Sequence, residues 1–138
     1  MDIILYNISV AIILLIGGYL IGSIPNAIWI GKVFFHKDPR DYGSGNAGGT
    51  NAGRVFGKGI GLLVIFLDAI KLILPLYIAW LVLTRAPIYH GTPLVNDVKA
   101  IYIEGRNDAI ISWPIYWLVS IGCSFGHVFP IYAEFKGG

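Results

Sequence analysis

Long apolar runs separated by short polar stretches set the plan of the chain. The first run extends from about Ile3 to Ile21, with only Asn7 and Ser9 as polar interruptions, and about 20 apolar residues in a helix suffice to cross a bilayer core. Gly22-Ser23-Ile24-Pro25 follows. Proline lacks an amide donor and crowds the preceding turn, so this helix is predicted to kink or end there. A short second apolar piece then reaches Phe35 as a half-helix or an interfacial helix. A second span is predicted from about Ile60 to Leu83, interrupted by Asp68 and Lys71 and carrying Pro75 as a bend point. A third, from about Ser112 to Tyr132, opens with Trp113 and Trp117, where indole rings favour the membrane boundary. The expected fold class is all-α: a polytopic transmembrane helix bundle of three full spans plus the short piece, with residues 1–138 forming one membrane domain. No internal repeat is visible.

Composition agrees with lipid as the solvent. Of the 138 residues, 56% are hydrophobic and 13% charged, and the mean hydropathy is +0.70, well above a water-soluble surface of this size. A formal charge of +2 and a pI near 8.7, with the basic residues scattered, give no polyanion-binding stripe, so no nucleic-acid partner is expected. The single cysteine, Cys123, has neither a disulfide partner nor neighbouring ligands at metal-binding spacing, and is expected to be a packing residue. Met1-Asp2-Ile3 lacks the basic start of a secretory signal, and the apolar run outlasts a signal core, so the first run is expected to stay as a span.

The loops differ in charge. Residues 31–58 hold Lys32, Lys37, Arg40, Arg54 and Lys58, whereas residues 84–112 hold Arg85, Lys99 and Arg106 beside Asp97, Glu104 and Asp108. Lysine and arginine favour the inner side, which places the first loop in the cytoplasm and both the second loop and the N-terminus outside. Two spans separate the first loop from Phe135-Lys136-Gly137-Gly138, so the two segments are expected on one membrane face, able to share a site.

The chemistry concentrates in Asp41-Tyr42-Gly43-Ser44-Gly45-Asn46-Ala47-Gly48-Gly49-Thr50-Asn51-Ala52-Gly53-Arg54. Glycines let backbone amides approach an anion closely, hydroxyl and amide side chains add neutral donors, and Arg54 offers a planar fork for phosphate oxygens. The positive end of the following helix would reinforce such a site. The bland alternative is a flexible turn. Gly43, Gly45 and Gly48 match the spacing of a dinucleotide-binding loop, but no strand precedes them, and Asp68 falls inside a span. Gly57-Lys58 fails as a nucleotide P-loop, because Gly59 follows and Ala52 stands where the first glycine belongs. His36 and Asp41 have a base-and-orienter spacing that eight acids and three histidines produce cheaply by chance. Asp68 and Lys71, three apart on one helical face, either neutralise each other in lipid or serve a site near the cytoplasmic mouth, with Lys71 helping to hold a phosphate. His127, near the end of the third run, is read as orienting rather than catalytic.

At these residues the chain resembles the bacterial integral-membrane acyl-phosphate:glycerol-3-phosphate acyltransferase family. Gly43 to Asn51 with Arg54 is similar to the family's first motif, and Gly126-His127-Val128-Phe129-Pro130 with Phe135-Lys136-Gly137-Gly138 resembles its second. Gly22-Ser23-Ile24-Pro25 and Leu67-Asp68 with Lys71 fit the same pattern. The resemblance implies transfer of a fatty acyl group from acyl phosphate to the 1-hydroxyl of glycerol 3-phosphate, forming lysophosphatidate, with neither metal nor cofactor. It places Gly43, Ser44, Gly45, Asn46, Thr50, Asn51 and Arg54 in substrate and phosphate binding, and Lys136, Gly137 and Gly138 in a second phosphate-binding wall. Ser44 is read as positioning rather than as a covalent nucleophile, since no base stands beside it in sequence. The acyl chain is expected between membrane helices. The family's second motif continues into a further lysine and a third motif follows, so the chain resembles a C-terminally truncated member. Two other classes compete. A transporter or channel fragment predicts a site near the membrane midplane, and a non-catalytic membrane interaction protein leaves the Ser/Asn/Thr/Arg loop without a purpose.

Overall fold

A computed structural model describes residues 3–85 and 115–137 of the protein. Among these residues every regular element is helical: α1 (Ile3–Gly22), α2 (Asn26–Phe35), α3 (Gly49–Phe56), α4 (Lys58–Arg85) and α5 (Trp117–Val128), with single 3-10 turns at Pro39–Asp41 and Ile131–Ala133. The expected external loop, about 84–112, lies beyond Arg85 outside the described residues, as do Trp113 and Gly138.

The break after α1 falls where Gly22-Ser23-Ile24-Pro25 predicts it. The second span runs somewhat longer than expected, as the continuous 28-residue α4 with Pro75 inside it. Proline supplies no amide, so the carbonyl one turn back, at Lys71, loses its helical partner. The thiol of Cys123 on α5 donates to that oxygen at 3.2 Å. Cys123 is thus a packing residue, 2% exposed, with a specific polar task.

Two expectations need correction. The glycine-rich stretch is not all loop, because Gly49–Phe56 is a helix that starts within the motif rather than after it. The described part of the third predicted span is a 12-residue helix ending at Val128, four residues before Tyr132, because Pro130 cannot continue it. Ile8–Phe35 and Lys58–Leu83 are long and apolar enough to cross a membrane by length and composition, while Trp117–Ala133 is shorter.

Glycine sets how closely the helices approach. A β-carbon at Gly18 or Gly22 of α1 would overlap the backbone of Val119 or Cys123, and one at Gly122 or Gly126 of α5 would overlap that of Leu15 or Tyr19. Each helix therefore offers a small-x-x-x-small face to the other, the arrangement that permits backbone-to-backbone packing where lipid removes the hydrophobic drive between helices. The pair α3 and α4 uses the same device, with a β-carbon at Gly61 falling 2.7 Å from the Gly53 Cα. Ala27, Ala52 and Val64 join α2, α3 and α4 in a small core, flanked by stacked Phe35 and Phe56 rings 4.5 Å apart. Outside these seams the long helices present apolar side chains, Ile13 at 67%, Leu62 at 68% and Ile73 at 62% exposed, an exterior suited to lipid or further helices rather than water.

Candidate active site

The segment from α2 to α3 is organised by Asn51, which is 1% exposed. Its side-chain oxygen accepts from the Ser44 amide at 2.8 Å. Its Nδ2 donates among the carbonyls of Pro39 at 2.8 Å, Asn46 at 2.9 Å and Tyr42 at 3.1 Å. An amide has two hydrogens and one oxygen, and the oxygen and the NH2 group of this one are both engaged by the chain around it. Asn51, expected in phosphate binding, instead holds the loop in shape. Gly43 and Gly45 have positive φ, 62° and 73°, the left-handed backbone that lets the chain turn around that side chain.

The same bonds change the reading of the glycines as a phosphate cradle. The amides of Ser44 and Gly45 are occupied, by Asn51 and by the Tyr42 carbonyl at 3.1 Å, so the loop around Gly43 and Gly45 does not present them to a ligand. Gly49 packs against α4. What remains for an anion is the start of α3, whose N-cap residue Gly48 makes no side-chain cap, together with exposed Ser44, Asn46, Thr50 and Arg54. Thr50 and Arg54 lie one turn apart on one face of α3.

Asp38 and Arg40 brace the loop from below. The Arg40 guanidinium donates to Asp38 through Nε at 3.0 Å and Nη2 at 2.8 Å, and through Nη1 to the Ala133 carbonyl at 3.3 Å. Hydrogen bonding from Arg40 is the main reason the Asp38 carboxyl is held down at about 2. The Arg40 bond ties the first polar segment to the C-terminal one across 93 residues of sequence. His36 and Asp41 form no hydrogen bond with each other; His36 instead takes a left-handed conformation that closes α2.

Asp68 and Lys71 form an ion pair at 2.8 Å, with side chains 19% and 9% exposed. The pair has a further function in the fold. Lys71 Nζ donates to the Ile24 carbonyl at 2.9 Å, a group in the break between α1 and α2. Asn26 Nδ2 donates to Asp68 Oδ1 at 2.9 Å. Sequence reasoning missed Asn26; its signal was an amide side chain directly after Pro25, at the start of a helix in an apolar region.

These residues line a narrow polar cleft with Gly22, Ile24, Pro25, Ala47, His127, Pro130 and Gly137. Ala47 belongs to the first motif and Gly137 to the second, so the fold brings the two polar segments to one side of the molecule. The cleft holds only about 10 Å³, room for a single water. Ile24, Asn26 and Lys71 also line a second cavity of about 710 Å³, otherwise apolar, running between α1 and α4 past Leu74, Ile78 and Val82. From Lys71 to Leu83 that groove follows α4 for about 18 Å. Lys136 is exposed beside the cleft-lining Gly137, and Gly137 packs against the carbonyls that end α5. Tyr19 adds a bond from its hydroxyl to the Phe129 carbonyl at 3.0 Å, fixing that turn to α1.

Among the described residues, fold and cleft define a helical protein with a polar site at the head of an apolar groove. Residues 12–138 match the family described as glycerol-3-phosphate acyltransferase, and the chain belongs to that family. It is 39% identical over 127 residues to the glycerol-3-phosphate acyltransferase of Enterococcus faecalis, covering 92% of this chain and 46% of the relative. It is 40% identical over 127 residues to that of Staphylococcus haemolyticus, covering 92% and 54%. Among solved structures it is similar to PlsY, an integral membrane glycerol 3-phosphate acyltransferase, in its glycerol 3-phosphate form, with a TM-score of 0.64, 32% identity, and coverage of 93% of this chain and 50% of that one. The lysophosphatidic acid form of PlsY gives a TM-score of 0.61 and 30% identity at the same coverage. The chain spans about half the length of the relatives it matches.

Proposed function

We propose that this protein acts in transferring a fatty acyl group from acyl phosphate to the 1-hydroxyl of glycerol 3-phosphate, the entry step of phospholipid synthesis, as an integral protein of the cytoplasmic membrane. The hydroxyl oxygen bonds to the acyl carbon, the bond from that carbon to the phosphate oxygen breaks, and phosphate departs with the electron pair while the hydroxyl proton is released. The observation that carries the reading is the meeting of Ala47 and Gly137, from the two polar motifs, in a cleft that shares Lys71 with a long apolar groove. An acyl phosphate is already activated, so positioning and charge stabilisation suffice. Ser44, Asn46, Thr50, Arg54 and the amides opening α3 face the phosphates, Lys136 with Gly137 and Gly138 forms the opposing wall, and Ser44 positions rather than attacks. Gly43 and Gly45 shape the turn, and His127 orients from the cleft wall. The acyl chain occupies the groove between α1 and α4.

The topology proposed with this chemistry has three spans, built on α1, α4 and the segment containing α5, and the short α2. The N-terminus is outside, and both polar segments face the cytoplasm, where water-soluble glycerol 3-phosphate reaches them. The deciding assay supplies labelled glycerol 3-phosphate with acyl phosphate, acyl-CoA or acyl carrier protein. The membranes hold this chain, alone and joined to the remaining half of a relative. Lysophosphatidate from acyl phosphate alone is expected. Preference for acyl-CoA, or indifference to Arg54→Ala, overturns the reading.

A further inference from the structure

We infer that Lys71, held by Asp68 and the Ile24 carbonyl, seats the acyl carbonyl of the donor at the point where polar cleft and apolar groove meet; this rests on the acyl-phosphate reading above. Lys71 is one of three residues lining both cavities. An ammonium has three donors. Two are directed to Ile24 O at 2.9 Å and Asp68 Oδ1 at 2.8 Å, and among the described residues the third has no protein partner.

Two observations decide which part of a ligand this donor meets. The cleft on one side of Lys71 holds about 10 Å³, whereas the apolar groove on its other side holds about 710 Å³ and has room for a chain-bearing group. Asp68 also neutralises Lys71 at contact distance, and Asp68 Oδ1 is itself fixed by Asn26. A phosphate bound there would face that carboxylate, with repulsion offsetting attraction. A carbonyl carries no net charge and gains a charge-assisted hydrogen bond without that conflict. It also enters from the groove, trailing its own apolar chain. Ala47, two residues before α3, lines the cleft with Lys71, and Lys71 lines the groove that reaches Val82, so a ligand extending from the first polar motif into the groove meets Lys71. At Lys71 the N–H stabilises negative charge developing on the carbonyl oxygen as the hydroxyl oxygen of glycerol 3-phosphate attacks the carbon and phosphate leaves. Asp68 is a positioning residue, acting through Lys71.

The test uses hexadecanoyl phosphonate, a hydrolysis-resistant donor mimic, carrying ¹³C at its carbonyl, bound to this chain in lipid nanodiscs and read by isotope-edited infrared spectroscopy. The carbonyl stretch is expected to move to lower frequency on binding, and to return to its lipid value in the double variant Asp68→Asn with Lys71→Met, which strands no buried charge. Lys71→Arg is expected to retain part of the shift. In the acyl-transfer assay the double variant should lose about ten- to a hundredfold in kcat/KM for acyl phosphate, with KM for glycerol 3-phosphate changed less than about twofold. Saturable binding with an unshifted carbonyl in the unaltered protein overturns this inference while leaving the acyltransferase reading intact. A shift that survives the double variant overturns it also. Failure of the phosphonate to bind at all, with no transfer from acyl phosphate, removes both.

Discussion

Asn51 and Arg54 stand three residues apart in the same motif and have opposite environments. Asn51 is buried and joins one amide and three carbonyls of the chain that turns around it. Replacing it with alanine leaves those groups unpaired beneath the surface, and Asn51→Ala is expected to cost about 2–4 kcal/mol, read as a lower thermal midpoint in detergent. Arg54 is exposed, and among the described residues its guanidinium has no bonded partner. Arg54→Ala is expected to change stability by less than about 0.5 kcal/mol while sharply reducing acyl transfer, a separation that differential scanning fluorimetry and the labelled-substrate assay measure together. Sequence shows that both residues belong to a polar motif. It does not show which faces inward, because that depends on whether Gly43 and Gly45 wrap the chain around residue 51 or leave it open.

At the scale of elements, the contact between α1 and α5 rests on the absence of side chains. Gly122→Leu would force the α5 backbone away from Leu15 and Tyr19, and is expected to cost about 3 kcal/mol or more through overpacking, seen as loss of monodisperse protein on extraction. The spacings Gly18-x-x-x-Gly22 and Gly122-x-x-x-Gly126 were legible, but not their pairing, since many glycine pairs lie four apart in this chain. The seam between α4 and α5 makes a subtler claim. Cys123→Ala is expected to cost about 1 kcal/mol by removing the donor to the Lys71 carbonyl. In a Pro75→Ala background a backbone amide returns to that carbonyl, so the cost should shrink. A double-mutant cycle reads the coupling directly, and additive effects would contradict the assignment.

For the molecule as a whole, Arg40 is the link between the two polar segments, through Asp38 on one side and the Ala133 carbonyl on the other. The Asp38 carboxyl sits at about 2 against an ordinary 3.8. A folded-state value below the unfolded one means the stabilisation is present above about pH 4 and is lost as pH falls towards 2. Native-state proteolysis near Ala133 should therefore rise across that interval in the unaltered protein. Asp38→Asn should show the raised susceptibility already at pH 7, with a flatter response below pH 4. Arg40→Ala, which removes both contacts, should have the larger effect.

The amino-acid sequence by itself determined the helical class, the two long apolar helices and the end of α1 before Pro25, since these depend on local pattern, backbone chemistry and residue order. Tertiary structure decided what those residues do to one another: Asn51 became a scaffold, α3 began inside the glycine run, Cys123 answered Pro75, and Asn26 joined Asp68 and Lys71 at the α1–α2 break. The first two depend on how the chain turns within about a dozen residues around Gly43 and Gly45, and the last two require donors and acceptors 52 and 42 residues apart to meet at 3.2 and 2.9 Å, which only helix packing brings about.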